Sequence, residues 1–383
     1  MVRVDGNVGI VNTEYFEFDE LVLDCGKKLG PVRIAYENYG KLNEDKSNAI
    51  LVCHALSGDA HAAGKHRKNS KKYGWYDMAI GPGKPFDTTK YFVVCANIVG
   101  GCKGSTGPSS INPKTDEQYG LNFPLITVKD MVHAHNKLIE NLGINKLFCV
   151  TGGSLGGMQA LQYALEYPNS VHLVIPIATS DKQYPMGIAL HEAGRNAIMN
   201  DPKWNKGNYY DKCQPTKGLS LARKIGHITY LSHDSFNRKF GRKKTKKHKL
   251  NEKFEVEFEV QRYLNYQGSR FVRRFDANSY LYITNAIDQF DLTEGGTKNL
   301  NDVFKYVNVK FLLISFTSDL LYPPEYVEEL YAGLAEAGVP TVYKKLDLPY
   351  GHDSFLVYNN TLGNILVDFI EKEAKKYFKL NKI

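Results

Sequence analysis

The sequence predicts an α/β protein with a mostly parallel central sheet, flanked by helices and interrupted by a helical insertion. Three observations carry this prediction. Apolar runs of strand length recur without strict alternation, amphipathic helical patterns lie between them, and the strand pattern stops near residue 181 and resumes near 303. Runs apolar on both sides suit strands buried on both faces, as in a parallel sheet covered by helices. Their alternation with helices is the α/β pattern.

The strand-like runs are 49–56 (AILVCHAL), 91–98 (YFVVCANI), 147–150 (LFCV), 171–177 (VHLVIPI), 309–316 (VKFLLISF) and the alternating 341–348. A helix is predicted from Thr127, with apolar residues at Val128, Met131, Val132, Leu138, Ile139 and Leu142. Thr127 and Asp130 have the spacing of a capping box, and Gly143 is the stop. A second helix starts at Pro324 and ends before Gly338, and a third, amphipathic, closes the chain around Ile365 to Ile370. Between 181 and 302 the helical periods are 219–231, 256–266 and 277–290. The expected organisation is therefore a core from 1–180 and 303–383 and a helical lid from 181–302.

A chain of 383 residues with 43% hydrophobic and 23% charged residues has material for a real core, which excludes wholesale disorder. No apolar run approaches the ~18 residues of a membrane span, and the first twenty residues have no signal-peptide core, so a soluble, cytoplasmic protein is expected. The formal charge of +8 comes from one place. Residues 238–249 (RKFGRKKTKKHK) carry eight basic side chains, leaving 41 of each sign elsewhere, so a body-wide nucleic-acid surface is not indicated. The six cysteines form no C-x-x-C pair, and buried reduced thiols are expected.

The chemistry concentrates in 146–168, KLFCVTGGSLGGMQALQYALEYP. A short strand enters Gly152-Gly153-Ser154-Leu155-Gly156, and a helical pattern starts at once. A serine hydroxyl is presented to substrate where the chain turns sharply at it, and flanking glycines leave room for that turn. The Leu155 amide then points at the same spot and is an oxyanion donor candidate. A serine needs a base and the base an orienter. Asp319 follows the run 309–316, and His352 follows 341–348, so the order along the chain is Ser154, Asp319, His352. That order is the one an α/β-hydrolase predicts. Asp319 also fits a helix N-terminal acid just before Pro323. His54, which also ends a strand, competes with His352 as base; we assign it to the oxyanion region, where the Leu56 amide is the second donor. Cys102 in GGCKGST has no base placed for it and reads as packing.

Several long, ordered stretches resemble the homoserine O-acyltransferase family of the α/β-hydrolase superfamily. They are AYE (35–37) with YG (39–40), CHALSGDAHAAG (53–64), GPGKPFDT (81–88), GGCKGSTGPSSINP (100–113), FP (123–124) with DMV (130–132), GGSLGGMQAL (152–161), LARKIGHITYLS (221–232), YQGSRFVRRFDANSYLY (266–282) and GHDSFL (351–356). The resemblance, closest to the acetyl-transferring members, implies Ser154, Asp319 and His352 as a triad. It also implies that Arg223 and Asp353 hold an amino-acid substrate, with Tyr230 nearby. By themselves, Arg223 fits a surface helix residue and Asp353 fits equally a second orienter of His352. The implied reaction moves an acetyl group from acetyl-CoA to the hydroxyl of L-homoserine, giving O-acetyl-L-homoserine for methionine biosynthesis. It needs no metal and no cofactor beyond acetyl-CoA as substrate. A homodimer through the helical lid is also implied, with neither nucleic acid nor membrane as partner. Succinyl-CoA as donor, serine as acceptor, and a simple esterase or thioesterase stay open. The basic loop reads as a solvated excursion, or as an attraction for coenzyme A phosphates.

Overall fold

The computed structural model describes residues 6–245, 257–357 and 359–380. Eight strands form one sheet: β1 (Glu14–Phe18), β2 (Val32–Tyr39), β3 (Ala49–Cys53), β4 (Phe92–Ala96), β5 (Leu147–Gly153), β6 (Val171–Ile177), β7 (Lys310–Phe316) and β8 (Thr341–Leu346). Their order in space is β1-β2-β4-β3-β5-β6-β7-β8. Only β2 runs antiparallel to its neighbours β1 and β4, and every pairing from β4 across to β8 is parallel. The five strands predicted from apolar runs and the sixth predicted from alternation are all present. The first and second reach only Cys53 and Ala96, where the chain turns into loops.

The missing alternation in the sequence has its cause in the packing. Along β3, Leu51 faces one core while Ile50 and Val52 face the other, and β5 divides in the same way between Val150 and Phe148 with Cys149. Both faces are dry, so Ala49–Cys53 and the run 147–150 are apolar at every position. Burial of each such aliphatic side chain is worth about 1.5–3 kcal/mol. Helices α1 (Val128–Asn141), α2 (Leu155–Glu166) and α9 (Pro324–Glu336) cover one face, and α10 (Asn360–Leu380) covers the other. The capping box at α1 is formed: Thr127 N donates to Asp130 at 2.8 Å, and Asp130 N donates to the Thr127 hydroxyl at 3.3 Å.

Between β6 and β7 lie α3 (Pro185–Met199), α4 (Thr216–Tyr230), α5 (His233–Lys239), α6 (Glu259–Val272), α7 (Ala277–Asp288) and α8 (Leu300–Phe304), with no strand of the sheet among the described residues there. Helix α4 packs between α3 and α6, and it also touches the short 3-10 turn Gly351–Phe355 that follows β8. Of the basic stretch 238–249, residues 246–249 lie outside the described residues. Lys239 sits over the Tyr263 ring and Arg242 over Phe258.

No helix among the described residues is long and apolar enough to cross a membrane. The six cysteines are free thiols. Cys53, Cys95 and Cys149 are buried as expected, whereas Cys25 and Cys213 are exposed, because they sit on loops and not in the strand runs.

Candidate active site

Strand β5 delivers Ser154 at φ 58° and ψ −126°, a left-handed conformation that a side chain rarely adopts. Such strain costs of order 1–3 kcal/mol and persists only where neighbours enforce it. Here the Ser154 amide donates to the Ile177 carbonyl at the end of β6 (2.9 Å), while the Ser154 carbonyl accepts from Gly157 (2.8 Å) and Met158 (3.1 Å). The glycines are a matter of space. A Cβ on Gly156 would lie 2.2 Å from the Cys53 carbonyl oxygen, and one on Gly153 would lie 2.5 Å from the Phe355 ring. The elbow is thus wedged between the end of β3 and the turn that carries His352.

The loop after β3 approaches from the other side. Among the described residues the Leu56 and Leu155 amides donate no backbone hydrogen bond, so both N–H groups are available as oxyanion donors. His54 shapes this loop. Its Nε2 accepts from the Ile98 amide (3.2 Å), an obligate donor, so the proton must be on Nδ1, which donates to the Ala55 carbonyl (2.8 Å). Burial pushes the His54 pKa down and keeps the ring neutral. Gln159 on α2 donates to the His54 carbonyl (3.1 Å), tying the loop to the helix that begins at the serine. Both ring nitrogens of His54 are therefore engaged in holding the loop after β3, and the ring is not free to act as base.

Asp319 and His352 are both buried and joined through Oδ2 and Nδ1 at 2.8 Å. The other carboxylate oxygen of Asp319 accepts from the amides of Leu321 (2.8 Å) and Tyr322 (3.0 Å), which fixes its orientation. Asp319 thus serves as loop cap and histidine partner at once. Burial disfavours the imidazolium of His352, yet the charge and hydrogen bond of Asp319, with the charge of Asp353 behind, outweigh it and hold the pKa above the ordinary imidazole value. Rings of Tyr322, Phe355 and Tyr230 surround the imidazole with centroids 5.4, 5.6 and 6.1 Å away. Ser154 is brought to this turn by the packing of Gly153 on Phe355, but no hydrogen bond joins its hydroxyl to His352 among the described residues. Catalytic hydrogen bonds of this type tighten when substrate binds.

Arg223, on α4, donates to the Ser57 hydroxyl (3.3 Å) and lies over the Phe271 and Tyr230 rings, 4.8 and 5.4 Å from their centroids. Asp353, next to His352, is half-buried. Burial raises its pKa, and the charges of His352 and Arg223 pull it back. Burial likewise raises the Tyr230 pKa, with Arg223 opposing. Among the described residues neither Arg223 nor Asp353 has an ion-pair partner. A cation and an anion without ion-pair partners, close enough for Arg223 to act on the Asp353 charge, match a ligand that brings both opposite charges. Arg274 is a further member that sequence reasoning missed: its guanidinium donates to the Ser57 carbonyl (2.8 Å) and also lies against Phe271. Its position in the RFVRRFD run, beside two other arginines, gave no signal to single it out.

Cys102 Sγ accepts from the Asp276 amide (3.4 Å), and burial first of all pushes its thiol up to about 11. It is a packing residue and not a thiolate nucleophile.

Residues 48–357 match the family model described as alpha/beta hydrolase fold. The homoserine O-acetyltransferase of Methanohalobium evestigatum is 56% identical over 365 residues, covering 95% of this chain and 74% of that one. The homoserine O-acetyltransferase of Carboxydothermus hydrogenoformans is 47% identical over 381 residues, covering 99% of this chain and 100% of that one. Among solved structures, homoserine O-acetyltransferase from Bacillus anthracis superposes with a TM-score of 0.88 at 31% identity, covering 94% of this chain and 98% of that one. Esterase E22 superposes with a TM-score of 0.86 at 30% identity, covering 94% and 100%. With the elbow, the ordered acid and base, and relatives matched over nearly its whole length, the chain belongs to the homoserine O-acetyltransferase family of the α/β-hydrolase fold.

Proposed function

We propose that the protein transfers an acetyl group from acetyl-CoA to L-homoserine by a ping-pong mechanism. His352, oriented by Asp319, takes the Ser154 proton as the oxygen attacks the thioester carbonyl. The amides of Leu56 and Leu155 receive the oxyanion, the C–S bond breaks, and coenzyme A leaves with the proton from His352. The homoserine hydroxyl then gives its proton to His352 and attacks the acetyl-serine. Ser154 is released with that proton, and O-acetyl-L-homoserine departs. Arg223 takes the substrate carboxylate and Asp353 its ammonium, with Tyr230 beside them. In this reading the reaction uses no metal and no cofactor beyond acetyl-CoA as substrate, and the product feeds methionine biosynthesis.

The observation that supports this reading is the pairing of an orienting carboxylate and a buried imidazole, together with the strained serine and with an arginine and a carboxylate that have no ion-pair partner among the described residues. The Arg223 and Asp353 pair is the part a simple ester hydrolase has no use for. We further infer that residues 181–302 act as a lid over a core of 1–180 and 303–383. The lid excludes water from the acyl-enzyme, supplies a homodimer contact, and operates in a cytoplasmic enzyme.

The likeness to esterase E22 favours one second reading, an acyl-serine discharged by water. Intact-protein mass after mixing with acetyl-CoA or succinyl-CoA separates the readings. Wild type is expected to gain one acetyl group, discharged by homoserine and not by serine, while Ser154→Ala gains none. Coenzyme A release indifferent to homoserine would establish a hydrolase.

A further inference from the structure

Away from the elbow, three side chains aim their ligand atoms at one place. Glu37 on β2 is fully buried, with Oε2 at 2.9 Å from His61 Nδ1 and Oε1 at 2.7 Å from His66 Nε2. The three ligand atoms all lie within 4.8 Å of one another, and the two imidazole rings are 3.8 Å apart between centroids. Two further donors complete the carboxylate's surroundings: the Thr13 hydroxyl on Oε1 (2.9 Å) and the Tyr39 hydroxyl on Oε2 (3.0 Å). Each oxygen therefore accepts one hydroxyl and one imidazole.

That division matters chemically. The hydroxyls anchor the carboxylate without any help from the histidines, in the way outer hydrogen bonds orient a ligating carboxylate. The imidazole nitrogens are already gathered at the carboxylate, one on each oxygen. Two imidazoles and one carboxylate are a donor set for zinc and related divalent ions, with a position left for water. An approach route exists, because the His66 side chain is 48% exposed. The carboxylates of Asp59 and Asp77 add negative potential at His61.

We propose that Glu37, His61 and His66 bind a divalent transition-metal ion of the zinc class, with Thr13 and Tyr39 orienting the carboxylate. The ion replaces the imidazole protons now directed at Glu37. A neutral ring moves its proton to its far nitrogen and presents the lone pair, a charged ring releases one proton to solvent, and no electron changes hands. The site lies outside the proposed acyl-transfer chemistry. Its effect is mechanical: His61 and His66 belong to the loop that begins with His54 and Leu56, so the ion ties that loop to β2.

The test uses the full chain, treated with chelator and dialysed into metal-free buffer. Zn²⁺ is added in competition with a chromophoric chelator, and thermal unfolding is followed in parallel. Wild type is expected to take up one ion per chain and to melt at a higher temperature with it. His66→Ala changes a half-exposed side chain, so the protein folds. It and Glu37→Gln are expected to weaken uptake by about tenfold or more. Cys25→Ser/Cys213→Ser, which removes the exposed thiols, is expected to bind as wild type does. Absence of stoichiometric uptake overturns the proposal, as does equal uptake by His66→Ala or loss of uptake in the cysteine variant. The cluster is then a hydrogen-bonded clasp alone.

Discussion

His54 and Leu56 meet through a single peptide unit: the Ala55 carbonyl that receives the Nδ1 proton of His54 shares its plane with the Leu56 N–H. A trans amide sets its carbonyl and N–H in opposite directions, so holding one aims the other. His54→Phe is expected to slow acylation by roughly 10²–10³-fold, the value of one oxyanion donor, with the donor KM little changed. His54→Gln, whose amide both donates and accepts, should recover part of the rate. Rapid-quench intact mass reads this directly. A change in KM alone would remove His54 from the aiming role.

The acidic limb of the pH profile follows from His352. Its pKa is held above the ordinary imidazole value, so the ring stays protonated, and useless as a base, to higher pH than a free histidine. The rate of serine acylation should therefore rise with pH through a midpoint above ~6.5. Asp319→Asn removes the stabilising charge, moves that midpoint down, and lowers the rate by about 10⁴-fold. An unmoved midpoint in this variant would mean that a different group titrates.

Arg223→Lys keeps the charge but loses the planar fork, and Asp353→Asn keeps the shape but loses the charge. Each is expected to raise the homoserine KM by about 10–100-fold, the weight of a hydrogen bond to a charged group. The first half-reaction, acetylation of Ser154, should change far less. Equal damage to both half-reactions would place these side chains in the triad's support and not at the acceptor.

Two glycine replacements should have opposite signs. Gly156→Ala drives a methyl to 2.2 Å from the Cys53 carbonyl and should destabilise the fold by about 1–3 kcal/mol or more. Gly363→Ala, in α10, meets nothing nearer than Pro85 Cγ at 4.0 Å and should stabilise by up to ~1 kcal/mol. Calorimetric Tm values test both. A neutral Gly156→Ala would show that β3 and α2 can part locally.

The sheet was legible from β3 to β7 because both of its faces are buried there, which leaves apolar runs in the sequence, and the partly exposed edge strand β8 was legible from its alternation. Strands β1 and β2 were not, since EYFEF and VRIAYENY mix charges with apolar residues and β2 buries the charged Glu37 at its centre. Helix α3 escaped notice for a related reason: Met186, Ile188 and Met199 are exposed, so its apolar residues mark no clear buried stripe. Within the site, Ser154, Asp319 and His352 could be read from local turns at strand ends. Arg223 and Asp353 needed the family resemblance, because what sets them apart is the lack of an ion-pair partner among the described residues, which no local pattern reveals. Arg274 and the grouping of Glu37 with His61 and His66 arise only from folding, at separations of 24 and 29 residues that carry no motif.

Strands β6 and β7 are hydrogen-bonded neighbours, with Ile177 opposite Ile314, although six α-helices lie between them among the described residues. The whole intervening stretch is thus a single enlarged crossover, and the ladder beneath it closes without its help. Selection can therefore redraw the helices between β6 and β7 as an exchangeable cassette while the strands keep their register. On the proposed reading of that stretch as a lid, a switch between alcohol and water as the final acyl acceptor demands no new nucleophile, only a different cover.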